Sequence, residues 1–319
     1  MGGAAYGHTP VMVDRVLELL EPALRPPGAV VVDATVGRAG HARALLQAHP
    51  GLILIGLDTD AEAIGESRQL LQQYSGRVIL AHDVYDRIAA ILEREGVNRV
   101  QGVLFDLGVS SPQLDQPERG FAYSYDAPLD MRMDQSRSLT AAHVVNSYPA
   151  ARLAQVLREY GEERFARRIA DAVVRERARS PLTSTGQLTE IVRSAIPAPA
   201  RRGGGHPAKR TFQALRIEVN GELDALKRAL PAAVDALSVG GRIVVLAYHS
   251  LEDRVVKRAL AARASDTTPP GLPVPLAGAA PQLRLLTRGA QRPSAREVVD
   301  NPRAAQARLR AAERIRDAA

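Results

Sequence analysis

The chain has 319 residues, 45% apolar and 24% charged, enough for one large α/β domain or a core domain with a smaller companion. It has no cysteine, which excludes disulfides, zinc–thiolate sites, iron–sulfur clusters and any thiol nucleophile. Its net charge of +7 favours a polyanionic partner, although only three of the 42 basic residues are lysines (Lys209, Lys227, Lys257). No run approaches the roughly 18 apolar residues of a membrane span. The start, MGGAAYGHTPVMVDRV, lacks the layout of a signal peptide, and Tyr6 stands where a myristoylation pattern has Ser or Thr. The expected location is the cytoplasm.

Four apolar runs, at 29–32, 52–57, 77–81 and 100–105, read as strands. The intervening segments 40–48, 60–73 and 84–95 space apolar residues three and four apart; Ile64, Leu70 and Leu71 mark one face, and Ile88, Ile91 and Leu92 another. Such alternation predicts a doubly wound parallel sheet. The stretch from about 110 to 215 has no comparable strand and interrupts the sheet. Within 161–179, Phe165, Ile169, Ala172 and Val173 form one apolar face and six arginines occupy the rest. Between 115 and 220 there are 17 Lys/Arg against 12 Asp/Glu, so +5 of the total +7 lies here. Residues 201–209 read as a flexible basic loop and 211–237 as one long amphipathic helix. A fifth strand at 242–247 follows Gly240-Gly241, and a helix at 251–264 comes next. A Pro/Gly/Ala-rich connection at 265–281 leads to a final strand pair at 282–287 and 307–314. The expected division is 1–110 with 216–319 as the sheet domain, and 111–215 as an inserted helical subdomain.

The first strand runs into Asp33-Ala34-Thr35-Val36-Gly37-Arg38-Ala39-Gly40-His41, and the second ends at Asp58. Glycines after a first strand let a backbone approach a ligand, and Asp58 is placed to take ribose hydroxyls. Dinucleotides and S-adenosylmethionine are the two ligand classes that fit. A dinucleotide wants G-x-G-x-x-G and a pyrophosphate on a helix N-terminus. Here the spacing is Gly37-x-x-Gly40, and the carboxylate of Asp33 would repel pyrophosphate but suit an ammonium. Asp33, Asp58, Asp83 and Asp106 all fall at or just beyond strand ends, which favours a cationic ligand without phosphate. Each alone can equally be a helix cap.

Asp106 opens a polar loop with Ser110, Ser111, Pro112 and Gln113. Methylation of cytosine at ring carbon 5 normally uses a thiol, which this chain lacks. Transfer to an exocyclic amine needs only a nitrogen held in line, a proton acceptor and a dry site. Asp106 with the Ser110-Ser111-Pro112 turn is a candidate for that role, in place of the Asp/Asn-Pro-Pro-aromatic loop of amino-methyltransferases. Phe121, Tyr123 and Tyr125 are candidates to stack on a flipped-out base, or else pack the subdomain core.

Several blocks resemble those of the bacterial ribosomal RNA small-subunit methyltransferase H (MraW) family. They are His8-Thr9-Pro10-Val11, the loops 37–41 and 106–115, Glu118-Arg119-Gly120-Phe121 and Pro128-Leu129-Asp130-Met131-Arg132-Met133-Asp134. Tyr160-Gly161-Glu162-Glu163-Arg164-Phe165-Ala166, Arg210-Thr211-Phe212-Gln213-Ala214-Leu215-Arg216-Ile217, His249-Ser250-Leu251-Glu252-Asp253-Arg254 and Asn301-Pro302-Arg303-Ala304 complete the set. The resemblance covers nearly the whole chain in order. It implies a Rossmann-like class I methyltransferase sheet with a helical insertion, and S-adenosylmethionine-dependent N4-methylation of a cytidine in the decoding region of 16S ribosomal RNA. By motif position the cofactor residues would be Ala39, Gly40, His41, Asp58, Tyr85, Asp106 and Gln113, beside Asp33 and Gly37 from the loop itself. The RNA-binding candidates are Arg119, Phe121, Arg132, Lys209 and Arg210, with Arg201 and Arg202 nearby. The partner would be 16S RNA, naked or in the 30S subunit.

Two positions depart from the family pattern. Ala39 stands where a second glycine is usual, which a tight loop accepts only at negative φ. Tyr85 stands in place of a phenylalanine and keeps an aromatic face for adenine. His249 reads either as part of a capped helix start or as a catalytic group. No spacing suggests a metal; His8, His82, His143 and His206 are scattered. Two other readings are a non-catalytic ribosome-assembly factor that holds RNA on the basic insertion, and a nicotinamide-dependent enzyme. The latter is disfavoured by Asp33 and the missing third glycine.

Overall fold

A computed structural model of the chain describes residues 10–109, 113, 116–201, 205–266, 268 and 279–317. The apolar runs become strands β1 (Val30–Asp33), β2 (Ile53–Asp58), β3 (Val78–His82), β4 (Val100–Asp106) and β5 (Leu237–Ala247). The expected final pair is β6 (Leu283–Leu285) and β7 (Arg308–Arg314). They form one sheet in the order β3-β2-β1-β4-β5-β7-β6. The first five run parallel, and β7 returns antiparallel between β5 and β6.

The strands are apolar throughout because both faces of the sheet are covered. Alternate residues supply separate cores, as the two-residue period of a strand requires. Val32, Ile55, Val103, Phe105 and Val245 face Ile88, Ile91, Leu226, Leu230 and Val256 on one side. Val31, Leu54, Leu104, Val244 and Leu246 face Leu20, Leu45 and Leu46 on the other. The covering helices begin with α1 (Val13–Leu24), α2 (Gly40–Ala48), α3 (Ala61–Leu70) and α4 (Ile88–Arg94). Sequence analysis assigned no element to α1, although Val16, Leu19, Leu20 and Ala23 repeat at helical spacing and are all buried.

The chain separates into two compact units, residues up to Gly108 with those from Leu223 onward, and Val109–Glu222. The second is helical: α5 (Ala141–Ser147), α6 (Ala150–Gly161), α7 (Ala166–Arg177), α8 (Thr185–Ala195), a single turn at Ala198–Arg201, and α9 (Lys209–Asn220). It has its own core, in which Leu153, Leu157, Ile169, Val173, Leu188, Val192, Phe212 and Leu215 meet. The apolar face expected within 161–179 is therefore real; five of its arginines are exposed, while Arg177 is half-buried and donates to the Val145 carbonyl at 2.7 Å.

The single helix expected over 211–237 is instead two, α9 and α10 (Glu222–Ala236). Gly221 between them takes φ +65°, and its N–H donates to the Ile217 carbonyl at 2.8 Å. A left-handed glycine just past a helix is a stop signal that apolar periodicity does not register. The far end of α10 is closed by Arg314 of β7, a fully buried guanidinium. It donates to the carbonyls of Val234 (2.8 Å), Asp235 (2.7 Å) and Leu237 (2.9 Å). After β5 come α11 (Ser250–Ala264) and α12 (Ala295–Asp300).

Candidate active site

The order β2-β1-β4 puts the reversal of strand order beside β1, where open α/β sheets bind ligands at their carboxyl edge. Asp33, Asp58 and Asp106 are the last residues of β1, β2 and β4, and Asp83 follows β3 directly. The four strand-end acids thus share one edge. Helix capping next to Asp58 falls to Asp60, whose Oδ1 accepts the Glu62 N–H.

The loop from Ala34 to Ala39 is tied into the sheet at each step. Ala34 N–H donates to Leu104 O (2.9 Å), Val36 N–H to Leu57 O (2.8 Å) and Ala39 N–H to Val36 O (2.7 Å). Gly37 N–H donates to Asp58 Oδ2 (2.9 Å), Asp60 N–H to Asp58 Oδ1 (2.9 Å), and Ser67 Oγ to the Gly37 carbonyl (2.6 Å). Gly40 opens α2 against the N-terminal segment, and a Cβ there would lie 2.7 Å from Pro10 Cγ. Ala39 does not obey the expectation of negative φ: it sits at φ +58°, ψ +25°, as the N-cap of α2. The hydrogen bonds that pull the loop onto β2 impose a left-handed residue at this point.

Asp106 is held from three sides. Its N–H donates to Thr35 Oγ1 (2.7 Å), and the Tyr248 hydroxyl donates to Oδ1 (2.6 Å). His41 Nδ1 stands 3.5 Å from Oδ2. His41 is buried on the first turn of α2, and its Nε2 lies 2.9 Å from the Val11 carbonyl. About a quarter of the Asp106 side chain, 24%, remains exposed, so the carboxylate is still reachable. Tyr248 also explains Gly108, at φ +105°, where a Cβ would come within 3.1 Å of the Tyr248 ring. Sequence analysis overlooked Tyr248, Thr35 and Val11. The one available signal was the position of Tyr248 immediately after β5, the strand beside β4.

His249 is the N-cap of α11. Its Nδ1 accepts the Glu252 N–H at 3.4 Å, and Glu252 Oε2 accepts the N–H groups of Tyr248 (2.8 Å) and His249 (3.2 Å). This capping box also fixes the backbone that aims Tyr248 at Asp106.

Electrostatics at this edge run against ionised acids. Burial pushes Asp33 up to about 7, opposed by His41 and the Thr35 N–H and reinforced by Asp106 and Asp58. Burial likewise raises Asp58 to about 6, against the N–H groups of Asp60 and Gly37. Asp106 is raised by its low-dielectric surroundings, which outweigh His41 and the Tyr248 hydrogen bond. Burial, and then Asp106, hold the Tyr248 phenol well above its ordinary value. An edge of this kind gains by accepting positive charge and would reject a pyrophosphate.

The remaining candidates fall elsewhere. Tyr85 lies on the turn Tyr85–Arg87 with its ring edge-on to Phe105, 5.7 Å between centroids. Gln113 is buried and belongs to the helical unit. Ser110, Ser111, Pro112, Arg202, His8 and Thr9 lie outside the described residues.

Three of the five RNA candidates are spent on the helical unit itself. Arg119 is buried and donates to the carbonyls of Arg132 (3.2 Å) and Met133 (3.0 Å). Phe121 is in the core. Arg132 grips both oxygens of Asp130 (2.8 and 2.6 Å) and the carbonyls of Gln135 and Arg137. Lys209 and Arg210 are exposed at the start of α9, with Arg210 donating to the Glu162 carbonyl at 3.0 Å. Arg201 donates to the Ile196 carbonyl. Tyr123 is stacked on His206 (4.4 Å, 12°) and packed edge-on to Phe212, whereas Tyr125 is 55% exposed. Among the described residues no group of acids and histidines is placed to hold a metal ion, and no helix is long and apolar enough to cross a membrane.

The family model described as the MraW methylase family matches residues 5–315. The chain belongs to this family. Among curated relatives, "Ribosomal RNA small subunit methyltransferase H" of Thermobifida fusca is 63% identical over 99% of this chain and 96% of its own length. The protein of the same name from Frankia alni is 65% identical over 96% of this chain and 95% of its own. A solved rRNA methylase from Streptococcus thermophilus is 12% identical, with a TM-score of 0.44 over 98% of this chain and 100% of that one. Membership in a methylase family fixes the reaction class as methyl transfer.

Proposed function

We infer that the chain is an S-adenosylmethionine-dependent methyltransferase acting on the N4 amine of a cytidine in the decoding region of 16S ribosomal RNA. The observation that carries this reading is the mounting of Asp106, fixed by Tyr248 and Thr35 yet partly open, beside two acids whose surroundings call for a cation. The residues fit that cofactor, which offers a sulfonium, an ammonium and a ribose but no phosphate. Bound there, it supplies an electrophilic methyl group. Asp33 and Gly37 to His41 would hold the methionine end, Asp58 the ribose, and Tyr85 the adenine face; Gln113 is a further contact by motif position. Asp106 accepts a hydrogen bond from the acceptor amine and holds its nitrogen in line. The absence of cysteine supports an amine acceptor over ring carbon 5.

The basic helical unit serves RNA recognition, with Lys209 and Arg210 as phosphate contacts, and the substrate is 16S RNA, naked or in the 30S particle, in the cytoplasm. The test is transfer of a tritiated methyl group to small-subunit particles lacking the mark, with mass spectrometry locating it. The expected label is on cytidine N4; label on a ring carbon, or none, sinks the reading. Asp106→Ala should cost about 10²–10⁴-fold in rate, the range typical of a lost general acid–base group.

A further inference from the structure

The mounting of Asp106 leaves one gap in its hydrogen-bond accounting. A backbone carbonyl only accepts, so the 2.9 Å contact between His41 Nε2 and Val11 O places a hydrogen on Nε2. Nδ1 of the neutral ring then presents a lone pair to Asp106 Oδ2, itself an acceptor, at 3.5 Å. A charge-assisted N–H···O bond would close to about 2.7–2.9 Å. With the ring neutral and the acid ionised, these two acceptors form a pair able to take up one proton. Oδ1 is occupied by the Tyr248 hydroxyl, which leaves Oδ2 as the oxygen that receives a proton.

We propose that His41 is the terminal proton acceptor of the methyl-transfer reaction, taking through Asp106 the hydrogen that the methylated amine must lose. This rests on the amine-methyltransferase reading above. The N–H bond of the methylated amine breaks with its electron pair left on nitrogen, and an O–H bond forms at Asp106 Oδ2. That O–H bond then breaks as an N–H bond forms at His41 Nδ1, which leaves a carboxylate facing an imidazolium. The other ionisable groups facing the pair are Asp33 at the end of β1, Tyr248 after β5 and Glu252 on the first turn of α11. The Asp33 carboxylate, whose charge interacts with that of His41, stabilises the imidazolium.

The Val11 tether is what makes this one-directional. It holds the ring in the tautomer with Nδ1 empty, and Val11 is anchored in turn because the adjoining Met12 N–H donates to Glu297 of α12.

Two substitutions separate proton acceptance from simple hydrogen bonding. His41→Asn puts an amide near the Nδ1 position and His41→Gln keeps a donor near Nε2; neither can take a proton. Both should lower the single-turnover rate at saturating S-adenosylmethionine by about 10²-fold or more. Cofactor affinity is followed by calorimetry so that the rate is compared at saturation, and the wild-type pH dependence of that rate should be lost. A wild-type rate and pH profile in either variant overturns the proposal, because the surviving hydrogen bond would then be the whole role of His41. Loss of affinity with an unchanged saturated rate overturns it too.

Nitrogen-15 spectra of the cofactor-free wild type give a readout independent of turnover. The expected tautomer is Nε2–H, with an Nδ1 signal that moves when Asp106 is replaced by Asn; an Nδ1–H tautomer, or an Nδ1 signal indifferent to Asp106→Asn, refutes the pairing. If wild-type protein puts no methyl group on cytidine N4, the functional reading fails while these spectra still decide the proton pair.

Discussion

Ala39 holds a backbone conformation that costs an L-residue about 1–2 kcal/mol, since its Cβ crowds the following carbonyl. It is buried, and its N–H and C=O are both used, by Val36 and Arg43. It therefore cannot relax without dismantling the loop. Ala39→Gly removes that strain, but returns part of the gain as extra freedom in the unfolded chain. The net expectation is a stabilisation of about 0.5–1 kcal/mol, read as a higher urea midpoint with unchanged slope. A lower midpoint would mean that the methyl group packs better than the strain costs. Its neighbour Gly40 makes the opposite demand: its φ is ordinary, and glycine is needed because Pro10 fills the place of a side chain. Sequence analysis could mark both residues as a tight loop, but not which of them carried the strain. The sign of φ at 39 comes from hydrogen bonds to β2, and the space at 40 is closed by a segment 30 residues earlier.

At the scale of elements, strand ends decide the chemistry. Asp33 is charged in the unfolded chain above its ordinary 3.8 but in the folded one only above about 7. Between those values the folded state binds the extra proton. Its contribution to stability therefore falls as pH rises through that window and is flat above it. A cationic ligand reverses the balance, because it favours the ionised acid. S-Adenosylmethionine affinity should rise with pH through about 6 to 7, as Asp58 and then Asp33 ionise, and level off above. Calorimetry near pH 6.5 in buffers of different ionisation enthalpy should show protons released on binding. In Asp33→Asn the release should shrink and the affinity should become flatter with pH; an unchanged profile would remove Asp33 from the cofactor site. The strand-end acids were legible because short β-branched runs ending in Asp are a local signal. Tyr248 was not, since it meets Asp106 across 142 residues of chain and only the adjacency of β4 and β5 brings them together. The break at Gly221 was likewise hidden by apolar spacing that continues through it.

At the scale of the whole molecule, the excess charge is concentrated in the helical unit, and composition alone points to a polyanion. What composition cannot tell is how each arginine is used. An arginine that closes a loop over carbonyls and one that waits for phosphate look the same in sequence. Arg119 and Arg132 are of the first kind, and Lys209 and Arg210 stand exposed at the start of α9. The two kinds respond to salt differently, because each phosphate contact contributes about 0.7–0.9 to the slope of log affinity against log salt. Replacing Lys209 and Arg210 together by alanine should lower the slope for small-subunit RNA by roughly 1.5 with little change in thermal stability. Arg132→Ala removes a paired, hydrogen-bonded guanidinium instead and leaves Asp130 without it, at a cost of about 2 kcal/mol or more. Its signature is a lower melting temperature of the helical unit with the salt slope of the folded protein retained. Should Arg132→Ala flatten the slope at full stability while the double replacement leaves it intact, the phosphate contacts lie on the loop that Arg132 closes, and the assignment of exposed and internal arginines must be exchanged.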